Sequence, residues 1–276
     1  MTLNGEKVVC IIQGRMSSSR LPGKVLLDLA GKPMLQWVIE RVQKSQLIDQ
    51  TIVATSSDAS DDPISEWCHS HGYNCHRGSL HDVLDRFYGA ALATEAEIVV
   101  RVTADCPFID AHLIDQTIAL LNTPVDQSSP SFTANRLPPP FHRSFPIGLD
   151  VEVCSMAALE NAWKNAKELF HREHVMPYLY EGTALSTTAQ NTQSGWSKYG
   201  FLVSILNYSQ DYGLKRWTVD TAEDLEFARQ VAKHLPKDPD FSWLEMLAVI
   251  KAHPEMEMIN AEIRHKTMKE VDERAK

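Results

Sequence analysis

The sequence predicts an α/β fold, with a sheet that helices cover on both faces, and three observations support this. Short apolar runs alternate four times with amphipathic helical patterns between residues 7 and 121. A loop rich in glycine, serine and basic residues, Gln13–Lys24, follows the first apolar run, and we call it the basic loop. Aspartates follow two later apolar runs, at Asp105 and Asp220. Ligands of such sheets lie at the carboxyl ends of the strands, so we expect the basic loop and these aspartates to share one site.

The net charge of -9 over 276 residues limits the partners of this chain. An acidic balance disfavours broad contact with nucleic acid or an anionic membrane, because both partners require a basic surface. No apolar run is long enough to span a bilayer, and no charged-then-apolar leader opens the chain. The five cysteines are scattered, with no C-x-x-C pair, which favours free thiols and disfavours zinc held by cysteine. We therefore expect a cytoplasmic protein that binds neither nucleic acid nor a membrane.

The first half of the chain alternates predicted strands and helices. Lys7–Ile12 is mostly apolar and β-branched, and the basic loop leaves no room for a helix, so this run is predicted to be a buried strand. Apolar residues recur at helical spacing after Pro33, which predicts an amphipathic helix over 33–45. The same reasoning predicts strands at 51–55, 73–76 and 97–102 and helices at 63–71, 82–93 and 112–121.

The second half of the chain is less regular. Serines and prolines between 122 and 147, including Pro138–Pro140, indicate a loop or lid. Leu149–Val153 alternates apolar and acidic residues, as a half-buried strand does. Arg216–Asp220 is predicted to be a short strand that ends on an aspartate. Helices are predicted at 157–167, 173–180, 222–234 and 241–251, and the charged residues from 261 onward are expected to be solvated.

The basic loop is interpreted as a cradle for a polyphosphate. It contains Arg15, Arg20 and Lys24 and no acidic residue, although the chain is acidic overall. Backbone N–H groups and fixed cations after the first strand of an α/β fold bind phosphate groups. The loop contains neither G-x-x-x-x-G-K-[ST] nor G-x-G-x-x-G, so it is neither a Walker loop nor a dinucleotide fingerprint. The alternative is a solvated basic loop after an edge strand.

Asp105 and Asp220 are candidates for holding a divalent cation. Each follows a predicted strand, and Pro107 restricts the turn after Asp105. Carboxylate oxygens suit Mg²⁺ that bridges phosphate groups, which nucleotidyl transfer requires. There are ordinary alternatives, because Asp105 can form a turn and Asp220 or Thr221 can cap the following helix.

Four further residues are candidates for contacts with a second substrate. Asp150 and Glu152 lie on the same side of their predicted strand, where they either contact substrate hydroxyl groups or face solvent. His171 and His174 have the i, i+3 spacing of metal ligands, but no third ligand is evident nearby, which disfavours zinc. Arg172 and His174 are alternatively ligands for a carboxylate or phosphate of an acceptor.

These motifs resemble the signature of the sugar cytidylyltransferases. The branch is the spore-coat polysaccharide biosynthesis type, related to the 3-deoxy-manno-octulosonate and acylneuraminate cytidylyltransferases. The most specific agreement is R-M-S-S-S-R-L-P-G-K at Arg15–Lys24. One departure is Ala104, where relatives commonly have glycine, and residues 138–145 match no pattern. The resemblance covers nearly the whole chain, through Leu29–Met34, Arg77–Gly78, Asp82–Arg86, Thr103–Pro107, Gly148–Val153, Arg172–Val175, Arg216–Asp220 and Ile259–Ala261.

The resemblance implies a nucleotide-diphospho-sugar transferase fold, GT-A-like and Rossmann-related, with a mixed sheet. It also implies transfer of CMP from CTP to a sugar or sugar-like acceptor in surface polysaccharide or glycoconjugate biosynthesis. An acceptor oxygen would attack the α-phosphorus, and pyrophosphate would leave. The implied catalytic residues are Arg15, Arg20 and Lys24, and Asp105 and Asp220 would hold the cofactor Mg²⁺. The implied nucleotide site comprises Gln13, Gly14, Arg15, Ser19, Arg20, Lys24, Arg77, Asp82 and Arg86. The implied acceptor site comprises Asp150, Glu152, Arg172 and His174.

The same resemblance implies one nucleotidyltransferase domain over residues 1–260, followed by a charged tail at 261–276. Within the domain, 122–215 is expected to contribute the acceptor side or a dimer contact, because the family suggests a homodimer. One alternative is a glycosyltransferase of the same fold that uses a nucleotide-sugar, although the basic loop suits a free triphosphate better. Another is a nucleotide-binding protein that has lost catalysis, which the presence of both aspartates and all three cations disfavours.

Overall fold

A mixed sheet of nine strands forms the centre of the protein, in a computed structural model that describes residues 5–265. Two further strands, β2 and β3, form a separate antiparallel pair. The strands are β1 (Val8–Gln13), β2 (Asp28–Leu29), β3 (Lys32–Pro33), β4 (Gln50–Ser56), β5 (Cys75–Gly78), β6 (Ile98–Thr103), β7 (Phe132–Ala134), β8 (Glu152–Ser155), β9 (Ser186–Ala189), β10 (Thr192–Trp196) and β11 (Leu202–Leu206).

The first four strands in the sheet order are parallel to one another, and two of the remaining five, β8 and β10, run in the opposite direction. The order across the sheet is β5-β4-β1-β6-β8-β7-β11-β10-β9. β5, β4, β1 and β6 are parallel, whereas β8 is antiparallel to both β6 and β7. β7 is parallel to β11, and β10 is antiparallel to both β11 and β9. This architecture confirms the predicted α/β class with a mixed sheet.

Helices pack against both faces of this sheet. Short 3₁₀ turns lie at Lys24–Leu26, Ala59–Asp61 and Pro254–Met258. The helices are α1 (Met34–Val42), α2 (Asp62–Ser70), α3 (Val83–Ala93), α4 (Ala111–Leu121), α5 (Met156–Asn165), α6 (Leu169–His174), α7 (Pro177–Tyr180), α8 (Ala222–Ala232) and α9 (Trp243–Ala252). Within residues 5–265, none of them has both the length and the hydrophobicity that a membrane span requires.

The apolar sequence of β1 explains why both faces of the sheet are covered. Val9 and Ile11 pack with residues of α3 and α5 in one core cluster. The alternate residues Val8, Cys10 and Ile12 pack with residues of α1 and α4 in a second cluster. Successive side chains of a strand point to opposite faces, so a continuous apolar run requires an apolar layer on each side. The run predicted as the first buried strand therefore forms the middle of the fold.

A third apolar cluster joins α8 and α9 to the segment that carries Asp220. Trp217 is 1% exposed and packs in this cluster with Phe227 of α8 and Met246 of α9. Because Trp217 lies three residues before Asp220, its burial fixes the position of the chain just before that aspartate.

Several predictions for the second half are wrong in detail. The segment 122–147 is not only a loop, since it contains β7, a buried strand between β8 and β11. Arg216–Asp220 is not a strand, because it contributes only a single bridge, between Ile147 and Arg216. The helix predicted over 173–180 is interrupted at Val175, whose φ is +70°. The strand predicted at 149–153 begins later, at Glu152, and β9 to β11 were not predicted.

Candidate active site

Backbone contacts close and anchor the basic loop after β1. The Gly23 N–H donates to the Met16 carbonyl at 2.9 Å, with Gly23 at a φ of +69° that suits a residue without Cβ. The Met16 N–H donates to Asp61 Oδ1 at 2.6 Å. Gly14 lies against the end of β6, because a Cβ there would lie 3.1 Å from the Ala104 Cβ. Ala104 itself has no left-handed backbone, so its methyl group is accommodated without strain.

Lys24 lies between the two aspartates that the sequence singles out. Its Nζ donates to Asp105 Oδ2 at 2.6 Å and to Asp220 Oδ1 at 2.8 Å. It also donates to the Val219 carbonyl at 2.9 Å. An ammonium group has three N–H donors, so these three contacts use all of them. The structure therefore brings the basic loop and both aspartates to one place.

Each of these carboxylates has its second oxygen held by other protein groups. Asp105 Oδ1 accepts a hydrogen bond from the Thr103 hydroxyl at 2.6 Å. Asp220 Oδ2 accepts one from Arg216 at 2.8 Å and lies 3.2 Å from Arg20 Nη2. One oxygen of each aspartate thus orients the side chain, and the other accepts a hydrogen bond from the Lys24 ammonium group.

The charges in this cluster shift one another's pKa. Burial lowers the pKa of the Lys24 ammonium, but Asp105 and Asp220 outweigh burial and raise it above its usual value. Burial raises the pKa of Asp220, but Lys24, Arg20 and Arg216 hold it well below its usual range. Lys24 and Asp220 are therefore both charged at neutral pH.

Asp220 is positioned by the start of α8 rather than by a strand. Thr221 is the N-cap of this helix, and its side chain accepts the N–H of Asp224. The Asp224 carboxylate accepts the N–H groups of Asp220 and Thr221, each at 3.0 Å. Arg216 donates to both Asp224 oxygens, at 2.8 and 2.9 Å. Of the two capping alternatives, Thr221 forms the cap, so the Asp220 side chain is left to contact Lys24.

The segment before Asp220 crosses the backbone of Gly148 at close range. The Ile147 carbonyl accepts the N–H groups of Trp217 at 2.7 Å and Thr218 at 3.1 Å. Gly148 has a φ of +104°, and a Cβ there would lie 2.5 Å from the Thr218 nitrogen. A side chain at position 148 would therefore push this segment, and Asp220 with it, out of place.

A cavity of about 210 Å³ lies beside the aspartates. Asp105 and Asp220 line it together with three of the four predicted acceptor residues, Asp150, Glu152 and His174. The remaining lining residues are Arg20, Arg101, Thr103, Cys106, Arg136, Ile147, Gly148, Thr218 and His265. The structure thus joins the predicted metal and acceptor residues in a single polar cavity.

Asp150 is occupied by two arginines. Arg143 donates to both of its carboxylate oxygens, and Arg136 Nε donates to Oδ2 at 3.0 Å. Burial raises the pKa of Asp150, but the two guanidinium groups hold it well below its usual range. Both of its oxygens accept from these arginines, so Asp150 orients the two guanidinium groups, and its contact with an acceptor hydroxyl stays a prediction.

One carboxylate oxygen of Glu152 is available to accept a hydrogen bond from a ligand. Its side chain is 3% exposed, and Oε2 pairs with Arg101 on β6. Oε1 is buried and has no hydrogen-bond partner among the described residues. Arg101 also donates to Gln13 Oε1, from Nε at 3.2 Å and from Nη2 at 2.9 Å. Because a buried carboxylate oxygen without a donor is costly, Oε1 marks a place where a ligand would donate.

Arg172 and Asp82 form an ion pair, and neither residue lines the cavity. Arg172 Nε donates to both Asp82 oxygens at 2.9 Å. Asp82 is also the N-cap of α3, accepting the N–H of Asp85 at 2.9 Å. Arg172 is therefore not among the residues that line the cavity of the other acceptor candidates, and its direct contact with an acceptor stays a prediction.

The other nucleotide candidates are Arg77, Arg86 and Ser19. Arg77 donates from Nε to a backbone carbonyl of β4 at 2.9 Å, and Arg86 donates to the Ser79 carbonyl at 2.8 Å. Burial lowers the pKa of Arg86 to about 10, and the positive charge of Arg15 adds to this shift. Arg86 is thus close enough to the basic loop for its charge to interact with that of Arg15. Ser19 is exposed on the loop.

Asn260 and His265 both contact the segment that carries Asp220, and His265 also lines the cavity. Asn260 Nδ2 donates to the Arg216 carbonyl at 3.1 Å and to Asp224 Oδ1 at 3.0 Å. His265 is exposed, as expected for the predicted tail, but lines the cavity, with Nδ1 3.2 Å from Arg216 Nη1. The rest of the predicted tail, 266–276, lies outside the described residues.

Sequence reasoning missed three arginines of the site. Arg101 interrupts the apolar run of β6. Because charged residues are rarely buried unless they are paired, its position in this strand indicates that it pairs with another side chain. Arg136 and Arg143 lie in the segment interpreted as a loop, and no spacing rule relates them to Asp150.

The fold and this site together define a class of protein. A basic loop after the first strand and two aspartates that face one of its cations are the parts of a nucleotide-binding transferase. Residues 9–238 match the model of the cytidylyltransferase family. The chain therefore belongs to the cytidylyltransferase family and is a CTP-dependent nucleotidyltransferase.

Two relatives and a solved structure are similar to nearly the whole chain. An uncharacterized protein of Methanocaldococcus jannaschii is 36% identical over 97% of this chain and 100% of its own length. The spore coat polysaccharide biosynthesis protein SpsF of Bacillus subtilis is 29% identical over 90% of this chain and 95% of its own length. The solved structure of a cytidylyltransferase from Leptospira borgpetersenii superposes with a TM-score of 0.79 at 29% identity, over 94% of this chain and 100% of that one.

Proposed function

We propose that this cytidylyltransferase transfers CMP from CTP to a hydroxyl group of a sugar-like acceptor, with release of pyrophosphate, in surface polysaccharide or glycoconjugate biosynthesis. The observation that carries the proposal is the convergence of Lys24, Asp105 and Asp220 beside a polar cavity. The similarity to a protein of spore coat polysaccharide biosynthesis supports the acceptor class.

Mg²⁺ is the cofactor in this proposal, and Asp105 and Asp220 are the residues that would hold it. Asp105 Oδ2 and Asp220 Oδ1 already converge on one cation, the Lys24 ammonium, and oxygen donors are those that Mg²⁺ prefers. Across residues 5–265, no group of three or more His, Cys, Asp or Glu side chains is arranged for a metal, so phosphate oxygens and water would complete the shell. Bound there, Mg²⁺ would neutralise negative charge on the triphosphate.

The basic loop binds the triphosphate in this mechanism. The positive charges of Arg15, Arg20 and Lys24 stabilise the charge that develops on the departing pyrophosphate. Removing one such group typically lowers the rate by about 10²–10³-fold. The remaining proposed nucleotide contacts are Gln13, Gly14, Ser19, Arg77, Asp82 and Arg86.

The chemical step is an in-line displacement at the α-phosphorus of CTP. The acceptor hydroxyl oxygen forms the new bond to phosphorus, the bond to the α,β-bridging oxygen breaks, and the hydroxyl proton is lost to water. Such a step requires positioning and charge neutralisation rather than a protein nucleophile. Cys106 lines the cavity, but burial raises the pKa of its thiol well above the usual value, so it is a poor nucleophile.

Glu152 is the acceptor-binding residue that this proposal favours. Its buried Oε1 suits a hydroxyl donor of a polar acceptor, and His174 faces the same cavity. Asp150 and Arg172 act indirectly, because their charged groups are paired with other side chains. The proposed acceptor site is thus narrower than the four residues predicted from the sequence.

A homodimer in the cytoplasm completes the proposal. All four residues of the edge strand β9 are exposed, and the nearby Trp196 is 57% exposed. An open strand edge beside an exposed aromatic side chain is the kind of surface that a second copy covers. The five cysteines are all free thiols, which suits a reducing compartment.

Pyrophosphate release tests the reaction. Each of CTP, UTP, ATP and GTP is incubated with Mg²⁺ and a panel of neutral and acidic sugars. We expect release with CTP and only in the presence of an acceptor. Release of a nucleoside mono- or diphosphate from an added nucleotide-sugar, without pyrophosphate release from CTP, would favour a glycosyltransferase. No product under any condition would favour a protein without catalysis.

The variant Asp105→Ala tests the metal assignment. We expect Mg²⁺-dependent pyrophosphate release to fall by about 10²–10³-fold, because one of two proposed metal ligands is lost. Circular dichroism should show an unchanged fold. Full turnover by this variant would reject Asp105 as a metal ligand.

A further inference from the structure

We propose that the Lys24 ammonium group occupies the metal position in the nucleotide-free enzyme. When CTP binds, this side chain moves away from the two aspartates and contacts the triphosphate instead. Divalent metal binding by Asp105 and Asp220 then depends on the nucleotide. This inference rests on the proposed function, because it takes these two aspartates as the metal ligands.

The first support is that the Lys24 ammonium has no donor left for a phosphate. Its three N–H groups are used by Asp105 Oδ2, Asp220 Oδ1 and the Val219 carbonyl, at 2.6, 2.8 and 2.9 Å. The side chain is also only 10% exposed. Lys24 therefore cannot bind the triphosphate, as its place in the basic loop requires, unless it first leaves the two aspartates.

The second support is that both aspartates remain oriented when Lys24 leaves. The Thr103 hydroxyl holds Asp105 Oδ1, and Arg216 and Arg20 hold Asp220 Oδ2. None of these contacts involves the two oxygens that face Lys24. Groups that fix the non-ligating atoms of a carboxylate are what a metal site requires around its ligands. The site is thus preorganised for a cation, and a lysine supplies that cation in the absence of ligand.

The third support is that Lys24 and a metal ion exclude each other. Mg²⁺ binds carboxylate oxygens at about 2.0–2.1 Å, so an ion bound to Asp105 Oδ2 and Asp220 Oδ1 would overlap the ammonium nitrogen. Expelling this buried ammonium without a new partner is unfavourable. The triphosphate supplies the new partner, because Lys24 belongs to the same loop as Arg15 and Arg20.

Metal and nucleotide are therefore expected to bind cooperatively. The movement of Lys24 adds to the cooperativity that the direct phosphate–metal contacts provide. Coupling of this kind between two sites typically changes an affinity by about 5–150-fold, and it is reciprocal. In the nucleotide-free enzyme, Lys24 competes with the metal. A neutral side chain at position 24 removes that competition, so it should raise the affinity for metal alone.

Titration with Mn²⁺, followed by electron paramagnetic resonance of the free ion, tests the proposal without turnover. The wild type and Lys24→Met are titrated with no nucleotide present. We expect Lys24→Met to bind Mn²⁺ at least about tenfold more tightly than the wild type. The double variant Lys24→Met/Asp105→Asn should lose this gain, which would locate the bound ion at the two aspartates.

Two further variants serve as controls. Lys32→Met removes the same charge from a lysine that pairs with Glu40, so it should leave Mn²⁺ affinity at the wild-type value. Lys24→Gln keeps a hydrogen-bond donor for the aspartates, so it provides a second neutral variant if Lys24→Met does not fold. We expect it to bind Mn²⁺ more tightly than the wild type as well.

Equal Mn²⁺ affinity of the folded position-24 variant and the wild type would overturn the proposal. So would an unchanged gain in the double variant. These outcomes are separate from failure of the proposed function, because the titration contains neither CTP nor acceptor. Pyrophosphate release from CTP by the wild type tests the proposed function, and its outcome does not depend on the result of the Mn²⁺ titration.

Discussion

Asp150 and Glu152 are two residues apart and line the same cavity, yet their surroundings give them different roles. Arg136 and Arg143 use both oxygens of Asp150. Arg101 uses one oxygen of Glu152, and the other is buried without a partner among the described residues. Partners rather than residue type therefore distinguish a structural carboxylate from one that can bind substrate.

Glu152→Gln should weaken recognition of the acceptor. The amide carbonyl can still accept from Arg101, but the charge of the buried oxygen Oε1 is lost, and hydrogen bonds to charged groups contribute about 1.5–3 kcal/mol. With the sugar that supports pyrophosphate release, we expect kcat/KM for the acceptor to fall by about 10–100-fold, while KM for CTP stays at the wild-type value.

Glu160→Gln is the matched control for this measurement. Glu160 is on α5 and pairs with Lys164 at 2.8 Å. Its loss should leave both constants unchanged. An equal rise in KM for CTP and for the acceptor in Glu152→Gln would instead point to a general distortion through Arg101 and Gln13.

Part of this site is predictable from residues alone. The basic loop places Arg15, Arg20 and Lys24 on one contiguous motif, so their proximity in the chain is read from the sequence, and their common role stays a prediction. The contact of Lys24 with Asp220 joins residues 196 positions apart, and no local pattern encodes it. The same is true of Arg101, whose partners Gln13 and Glu152 lie on two different strands.

At the scale of elements, the turn at Gly148 leads into β8 and contacts the segment before Asp220. The chain adopts a φ of +104° at this residue, and Thr218 approaches it without space for a side chain. Since β8 begins at Glu152, four residues after this glycine, one turn sets the distance between β8 and Asp220.

Gly148→Ala should reduce both stability and activity. The left-handed backbone alone costs about 1–2 kcal/mol for alanine, and the contact with the Thr218 nitrogen adds to this cost. We expect a loss of about 3 kcal/mol in the free energy of unfolding, measured with urea, and slower pyrophosphate release.

Gly200→Ala separates the two effects. Gly200 also has a positive φ, +81°, but a Cβ there would meet nothing within 4 Å. It should lose only the backbone contribution, about 1–2 kcal/mol, and keep its activity. Equal losses in the two variants would mean that the close approach at Gly148 has no importance.

Elements of the second half were harder to predict than those of the first. β1 and β6 are apolar runs buried on both faces, which is a strong signal for a strand. β9 consists of Ser, Thr, Thr and Ala and is fully exposed, so its sequence has no apolar alternation. Arg216–Asp220 has the residues of a strand, but the Ile147 and Gly148 backbone limits it to a single bridge.

At the scale of the whole molecule, the ion pairs of the cavity contribute to stability in a way that depends on pH. The pKa of Asp150 is lower in the folded protein than its unfolded value of about 3.9. Between these two pKa values the unfolded chain binds more protons, so stability falls as the pH is lowered through that window. The contribution is complete above the unfolded pKa and is lost toward the folded one.

Asp150→Asn should therefore be less stable than the wild type by about 2 kcal/mol at neutral pH, because Arg136 and Arg143 lose their charged partner. The difference should shrink as the pH falls below about 4, where the Asp150 carboxyl of the unfolded wild-type chain begins to bind a proton while that of the folded protein stays charged. Urea unfolding of the wild type and Asp150→Asn, from neutral pH to below pH ~4, measures this difference in the free energy of unfolding. Asp126→Asn, at an exposed aspartate, is the control, and a difference independent of pH would contradict the explanation.

The overall architecture was predictable in class but not in topology. Alternating strands and helices indicate a parallel sheet with two covered faces, and this part of the prediction is correct through β6. After β6, the sheet continues through β8, β7 and β11, an order that does not follow the chain. Such an order depends on long-range packing, which residue periodicity does not report.

The separation of 196 residues between Lys24 and Asp220 also affects how the enzyme is made. Chains fold from the N-terminus during synthesis, and contacts between distant residues form last. The basic loop leaves the ribosome long before Asp220, and longer still before Asn260, which holds the Arg216–Asp224 pair. A nascent chain therefore carries the basic loop before Asp220 is available, and the contact between Lys24 and Asp220 forms only when synthesis is nearly finished.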